Sequence, residues 1–202
     1  NQWSSSSKLK PLTTCHLMIF LPTTIVRAQP VMTHNQENIV NLPNNRTIGL
    51  AMAASCAGLI SVAVFYFQNR LGLDPCYLCI TQRVFVIVVG VIFLVSALHN
   101  PAAGGQKIYA ALAALAASAG GFFSIKQLWL QSLPEDQIPA CGPPVDYLFD
   151  AFSPSEALNM LLRGDGNCAE VQWQLLGLSM PAWVLVCFVG LTAVAVFQLL
   201  RK

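Results

Sequence analysis

Four long apolar stretches decide most of what this chain can become. A helix crossing a bilayer needs about 20 mostly apolar residues, and each backbone N–H and C=O must be bonded inside the segment once water is gone. Thr47–Phe67 meets that length without a charge. Tyr77–Leu98 meets it with Thr81, Gln82 and Arg83 in its first turns. Ile108–Leu130 is Ala-rich, with Lys126 near its far end, and Pro181–Leu200 opens with Trp183. The expected fold is therefore an all-α membrane protein. Its core is a four-transmembrane-helix bundle with spans of about 47–67, 77–98, 108–130 and 181–200. Composition agrees: 10% of residues are charged, against roughly 25% in a soluble domain. That scarcity excludes an ordinary soluble enzyme and a disordered tail. A net charge of +2 is also too small for the basic footprint of a nucleic-acid binder.

The connections are unequal. Residues 68–75 and 99–107 are short, whereas 131–180 is a loop of fifty residues. Basic residues orient the spans. With the N-terminus inside, the inner segments hold Lys8, Lys10, Arg27, Arg46, Lys107, Arg201 and Lys202 against the single acid Glu37. The outer segments hold Asp74, Glu135, Asp136, Asp146, Asp150, Glu156, Asp165 and Glu170, with Arg70 and Arg163 as their basic partners. Both termini are thus expected in the cytoplasm. Whatever the orientation, the first and third loops of a four-span chain lie on one side. Residues 1–46 read as a separate leader, cytoplasmic and poorly ordered or non-native. Leu17–Val26 is a short apolar run broken by Pro22, and Val26-Arg27-Ala28 resembles a cleavage site. Cleavage there would invert every span against the charge bias.

Within the long loop, Ser153-Pro154-Ser155-Glu156 has the pattern of a capping box. Ala157, Leu158, Leu161 and Leu162 follow as an apolar stripe, and Gly164 can close the helix. This short amphipathic helix is expected to lie on the membrane surface or to cover the bundle.

Seven cysteines are many for such a bundle. Cys76-Tyr77-Leu78-Cys79 follows Asp74-Pro75 at the mouth of the second span. The pair is expected at a helix N-terminus, where the helix dipole favours a thiolate, the nucleophile of disulfide exchange. Half of a zinc site is the competing reading, but no second C-x-x-C occurs. Arg83 follows Cys79 by four residues and Cys76 by seven, on the same helical face. It either snorkels to the interface or supplies a fixed positive charge beside the thiols, for a thiolate and for an electron-rich oxygen of an acceptor. Cys141 and Cys168 share the outer loop and hence the compartment of the C-x-x-C. A bond between them would close about 28 residues, worth roughly 3.5 kcal/mol as a staple. Yet Pro139-Ala140-Cys141-Gly142-Pro143-Pro144 is an extended, exposed context suited to presentation to another protein. Staple and exchange site both remain open on these residues alone. Cys15, Cys56 and Cys187 read as structural or incidental, and His16, His34 and His99 form no ligand cluster.

Pro75 to Arg83, the later Cys141, Cys168-Ala169-Glu170-Val171-Gln172-Trp173 and Leu176-Gly177-Leu178-Ser179-Met180-Pro181-Ala182-Trp183 together resemble the DsbB family of bacterial inner-membrane thiol oxidases. The resemblance covers about residues 47–200 and leaves out 1–46. Position 82, acidic in some members, is glutamine here. The resemblance implies a function in disulfide bond formation. A periplasmic thioredoxin-like partner of the DsbA type would attack a Cys141–Cys168 disulfide, most naturally at Cys141. Electrons would pass to a Cys76–Cys79 disulfide and then to a membrane quinone (ubiquinone or menaquinone) near Arg83. No metal is implied. A strongly oxidising partner needs a still stronger acceptor, which a lipid-soluble quinone provides. Two other functions compete. A quinone enzyme of the vitamin K epoxide reductase type also combines a C-x-x-C with loop cysteines, although there the loop cysteines precede it. A non-enzymatic four-span scaffold stapled by disulfides would tolerate substitution of Cys76 and Cys79.

Overall fold

The structure is a computed structural model that describes residues 44–201. The leader, including Cys15, His16 and His34, lies outside these residues apart from its last positions. Among the described residues, four helices are long and apolar enough to cross a membrane. The first span is α1 (Asn45–Ser61) continued by a π-helical segment, Val62–Gln68. The second is α2 (Tyr77–His99) and the third α3 (Ala103–Gln131). The outer loop carries α4 (Val145–Ala151) and α5 (Pro154–Arg163), and α6 (Met180–Leu200) is the fourth span. The expected span boundaries hold within a few residues, except that α3 begins at Ala103, before the expected Ile108. Its polar first turns stay helical beyond the apolar stretch. In the same connection, Asn100 closes α2 in the left-handed region with φ 43°.

The spans pack in series: α1 on α2, α2 on α3, and α3 on α6. Lipid is as apolar as a leucine side chain, so close approach rather than hydrophobicity holds such helices together. The sequence supplies small residues where they touch. Gly90 of α2 faces Cys56 of α1, where a Cβ would come within 2.9 Å of the cysteine Cβ. Gly120 of α3 takes the ring of Phe188 from α6, where a Cβ would sit 2.3 Å from two ring carbons. Cys56, Val89, Phe93, Ala117 and Phe188 are accordingly among the core residues of the bundle, which accounts for Cys56 as a small apolar group. Gly120→Val is expected to cost about 1–3 kcal/mol through overpacking. The check is the thermal unfolding midpoint in detergent; an unchanged midpoint would mean that Phe188 turns away freely.

A second core lies at the loop end of the bundle. Cys76, Tyr77, Leu78, Leu130, Leu148, Ala157 and Cys168 pack together there. The α5 helix covers this end rather than standing apart. Thr81 Oγ1 donates to Leu161 O at 3.1 Å, and Lys126 Nζ donates to Leu162 O at 2.9 Å. Both bonds satisfy carbonyls of the last turn of α5, which have no intrahelical partner. Its start is the expected capping box: the Ser153 backbone N–H and hydroxyl donate to Glu156 at 3.1 and 2.7 Å. These bonds hold the Glu156 carboxyl below its ordinary range. The expected stripe is split, however. Ala157 is buried and Leu161 is half-buried, while Leu158 points outward. Beyond α5 the chain forms a two-residue hairpin, β1 (Gln174–Leu175) with β2 (Leu178–Ser179). Its turn residues Leu176 and Gly177 have φ of 55° and 79°, the signature of a type I′ turn.

Candidate functional site

Pro75 precedes α2, and Cys76 is its N-cap in extended conformation. Cys79 then lies one turn further, on the same side. The two sulfurs face each other as thiols, with Cys76 Sγ donating to Cys79 Sγ at 2.8 Å. Cys168, fully buried in a short 3-10 turn (Gly166–Cys168), packs with Cys76 in the second core. Cys76 is therefore the hub between the loop and the C-x-x-C. The neighbouring Cys168 and Cys79 thiols, together with burial, push its thiol well above the usual range. At Cys76 these influences oppose the thiolate that a helix N-terminus favours. A thiol that donates to neighbouring sulfurs keeps its proton, and burial further disfavours its charged form.

The third span contributes a residue that the sequence reading did not single out. Gln127 is buried, and its Nε2 lies 3.3 Å from Cys76 Sγ and 3.4 Å from Cys79 Sγ. Gln82 orients it, donating from Nε2 to Gln127 Oε1 at 2.9 Å. Position 82, acidic in some members of the family, is here a neutral amide that holds a second amide against the thiols. Gln127 was visible as a polar residue in an apolar span, but helical periodicity alone could not say what it faced.

Arg83 is half-buried and does not simply snorkel. Its Nη1 donates to Gln68 Oε1 at 2.9 Å and its Nη2 to Ala63 O at 3.3 Å. Both acceptors belong to the π-helical segment. A π turn shifts the i→i−4 ladder and frees carbonyls, so the distortion of the first span is what receives the guanidinium. Nothing in the apolar run announced that distortion. Arg83 separates two cavities. One, about 190 Å³, lies between the first span, α2 and α6; Cys79 and Arg83 join walls including Ile60, Phe67, Trp183 and Val184. Cys187, read as incidental, also lines it. The other, about 770 Å³, is a more polar cleft that reaches Cys76, Asp74 and Gly142.

Cys141 is exposed in an extended segment, as expected. That segment is nonetheless pinned. Gly142 N donates to Asp165 Oδ2 at 3.0 Å, Gly166 N to Ala140 O at 3.4 Å, and Tyr77 Oη to Pro143 O. Tyr77 and Asp165 were not singled out from sequence. The structure thus gathers Cys76, Cys79, Arg83 and Cys168 at one end of the bundle, with Cys141 at its surface. All six described cysteines are thiols here.

Comparison with known proteins points the same way. The sequence model described as "Disulfide bond formation protein DsbB" matches residues 45–198. The chain is 54% identical over 164 residues to Disulfide bond formation protein B of Saccharophagus degradans, covering 81% of this chain and 98% of that one. It is 49% identical over 158 residues to the protein of the same name from Hahella chejuensis, covering 78% and 95%. With the Methylococcus capsulatus protein of that name it shares 45% over 159 residues, covering 79% and 96%.

Proposed function

The chain belongs to the DsbB family of disulfide bond formation proteins, and from that premise we propose that it is a thiol oxidase joining a periplasmic dithiol protein to a membrane quinone. The observation that carries this reading is the shared position of Cys76. It packs with Cys168 on the loop side and hydrogen-bonds Cys79 on the membrane side, and Cys79 opens on an apolar cavity with one cation.

Disulfides Cys141–Cys168 and Cys76–Cys79 are the working pairs of this proposal. A partner thiolate attacks exposed Cys141, and the Cys141–Cys168 bond breaks with Cys168 as leaving group. Cys168 already abuts Cys76 and attacks it, so the Cys76–Cys79 bond breaks and Cys79 leaves. The partner's second thiol then displaces Cys141, and Cys141 displaces Cys76 from Cys168. Two thiols of the partner have become a disulfide, and Cys76 and Cys79 have become a dithiol. Gln127 holds both sulfurs throughout, through an N–H donor suited to a departing thiolate.

The residues of the smaller cavity fit a quinone. Flat apolar walls suit its ring and tail, and Arg83 offers a charged donor to a carbonyl oxygen beside Cys79. The lipid-soluble acceptor supplies one thing, the uptake of two electrons and two protons from the Cys76–Cys79 dithiol. A groove between α1 and α6, lined by Ser55, Gly58, Leu59, Cys187 and Gly190, adjoins that cavity and suits an apolar tail. Family membership supports a bacterial inner-membrane location, and the charge bias of the loops supports cytoplasmic termini and periplasmic cysteines.

Single turnover tests the proposal. Reduced thioredoxin-like partner and ubiquinone or menaquinone are mixed with the protein, and quinone absorbance is followed. One quinone should be consumed per partner dithiol oxidised. Cys141→Ser should block entry from the partner while a small dithiol still delivers electrons to the inner pair. Equal turnover in Cys141→Ser and the parent would overturn the route.

A further inference from the structure

Asp165 is the one charged side chain buried among the described residues, at 4% exposure. The relay proposed above does not use it. A buried carboxylate persists only when donors replace its water, and three do so. Asn167 Nδ2 reaches Oδ2 at 2.6 Å, Gly142 N reaches the same oxygen at 3.0 Å, and Cys168 Sγ reaches Oδ1 at 3.3 Å. The bonds from Asn167 and Cys168 are local and would serve any turn. The bond to Gly142 is different, since it crosses 23 residues of sequence. It ties the backbone next to Cys141 to the carboxylate that holds the Cys168 thiol.

Tyr77 acts on the same segment from the other side. It stands between the two cysteines of the C-x-x-C, and its hydroxyl donates to Pro143 O. Its hydroxyl and ring lie so near Gly142 that a Cβ there would fall 2.6 Å from the oxygen and 2.8–2.9 Å from ring carbons. Gly166 completes the fit. A Cβ on Gly166 would meet Pro139 O at 2.5 Å and Cys141 Sγ at 3.1 Å. Residues 139–144 form no regular structure of their own, so these contacts place the segment. Without them the Cys141 thiol would search the volume of a long flexible loop.

We propose that Asp165 and Tyr77 are positioning residues of the thiol relay, clasping the Ala140–Pro143 segment so that Cys141 stays within bonding reach of Cys168 while remaining open to a partner. The proposal rests on the relay reading of the preceding section. Because Tyr77 belongs to the C-x-x-C helix, the clasp also holds the outer pair in place over the inner pair. Its effect is on effective concentration: a segment already docked in the dithiol form loses little freedom when the disulfide closes.

The test needs neither quinone nor partner, so its failure is separable from failure of the relay. The full chain carrying Cys76→Ser and Cys79→Ser is equilibrated with glutathione and its disulfide. Cys141 and Cys168 lose two electrons and two protons as they bond, and one glutathione disulfide becomes two glutathiones. Asp165→Asn and Asp165→Ala should each lower the equilibrium constant for closing Cys141–Cys168 by about tenfold, equivalent to roughly 30 mV. Tyr77→Phe keeps the ring and should lower it about threefold. Thermal midpoints distinguish a purely structural role, which would lower the midpoint and leave the equilibrium constant unmoved. If Asp165→Ala does not fold, Asp165→Asn and Tyr77→Phe decide. An equilibrium constant unchanged within twofold in both overturns the proposal.

Discussion

Replacing Cys79 by serine is expected to abolish quinone reduction, a loss of roughly a thousandfold or more. A hydroxyl forms no disulfide and carries no electron pair onward, so no residual route remains through the pair. Cys79 lines the apolar cavity while Cys76 faces the loop, which makes the two serine variants separable. In Cys79→Ser, Cys168 still meets the Cys76 thiol, so a Cys76–Cys168 disulfide should accumulate when the purified protein is oxidised. In Cys76→Ser that species cannot form. Quinone absorbance during single turnover and non-reducing peptide mapping read the two effects. Normal quinone consumption in Cys79→Ser would sink the assignment of Cys79 as the electron donor. It would favour the scaffold reading, in which the C-x-x-C is dispensable.

The second large effect falls on Arg83. Arg83→Met should raise the KM for quinone by about 10–100-fold. A hydrogen bond to a charged donor is worth about 1.5–3 kcal/mol, and each 1.4 kcal/mol is about tenfold. Arg83→Lys should fall between the two. Lysine keeps the charge but lacks the planar fork, so it cannot serve Gln68 Oε1 and Ala63 O together while presenting a donor to the cavity. The split between parameters is informative. Oxidation of the partner by the preformed disulfides, measured in a single turnover without quinone, should change little in Arg83→Met. An unchanged KM for quinone would mean that Arg83 serves the π segment alone.

The two predictions draw on different kinds of information. Cys79 stood out as half of a candidate redox pair through the spacing Cys76-Tyr77-Leu78-Cys79 after a proline, and Cys141 through its run of prolines and glycine. That Arg83 was worth attention followed from the rarity of a charge inside a span. The loop helix was legible down to its cap, because Ser153, Pro154, Glu156 and Gly164 act on their own turns. The outward turn of Leu158 was not, since the stripe alone does not say where the covering helix meets its neighbours.

The residues missed share one property. Gln127, Tyr77 and Asp165 act through partners far along the chain: Gln127 on the sulfurs from the third span, Tyr77 on Pro143, Asp165 on Gly142. Each is an unremarkable polar residue until its partner is known. The π segment is similar, because its apolar residues would suit an ordinary α-helix equally well. The widened turn lies where Arg83 of the next span reaches Ala63 O.

By itself, then, the sequence determined the four spans, the side shared by the first and third loops, the capped loop helix and which thiols are candidates for the chemistry. These follow from transfer of apolar side chains out of water, from backbone bonds closed within each helix, and from chemistry that a cysteine carries anywhere. Only the tertiary structure decided that Cys76 is the hub, that Gln127 and Gln82 line the pair, that Arg83 stands between two cavities, and that Asp165 holds the Cys141 segment. In a desolvated site the placement of each donor and charge depends on which groups the packed helices and loop leave within hydrogen-bonding distance, and that distance is a property of the assembled bundle rather than of any one stretch of chain.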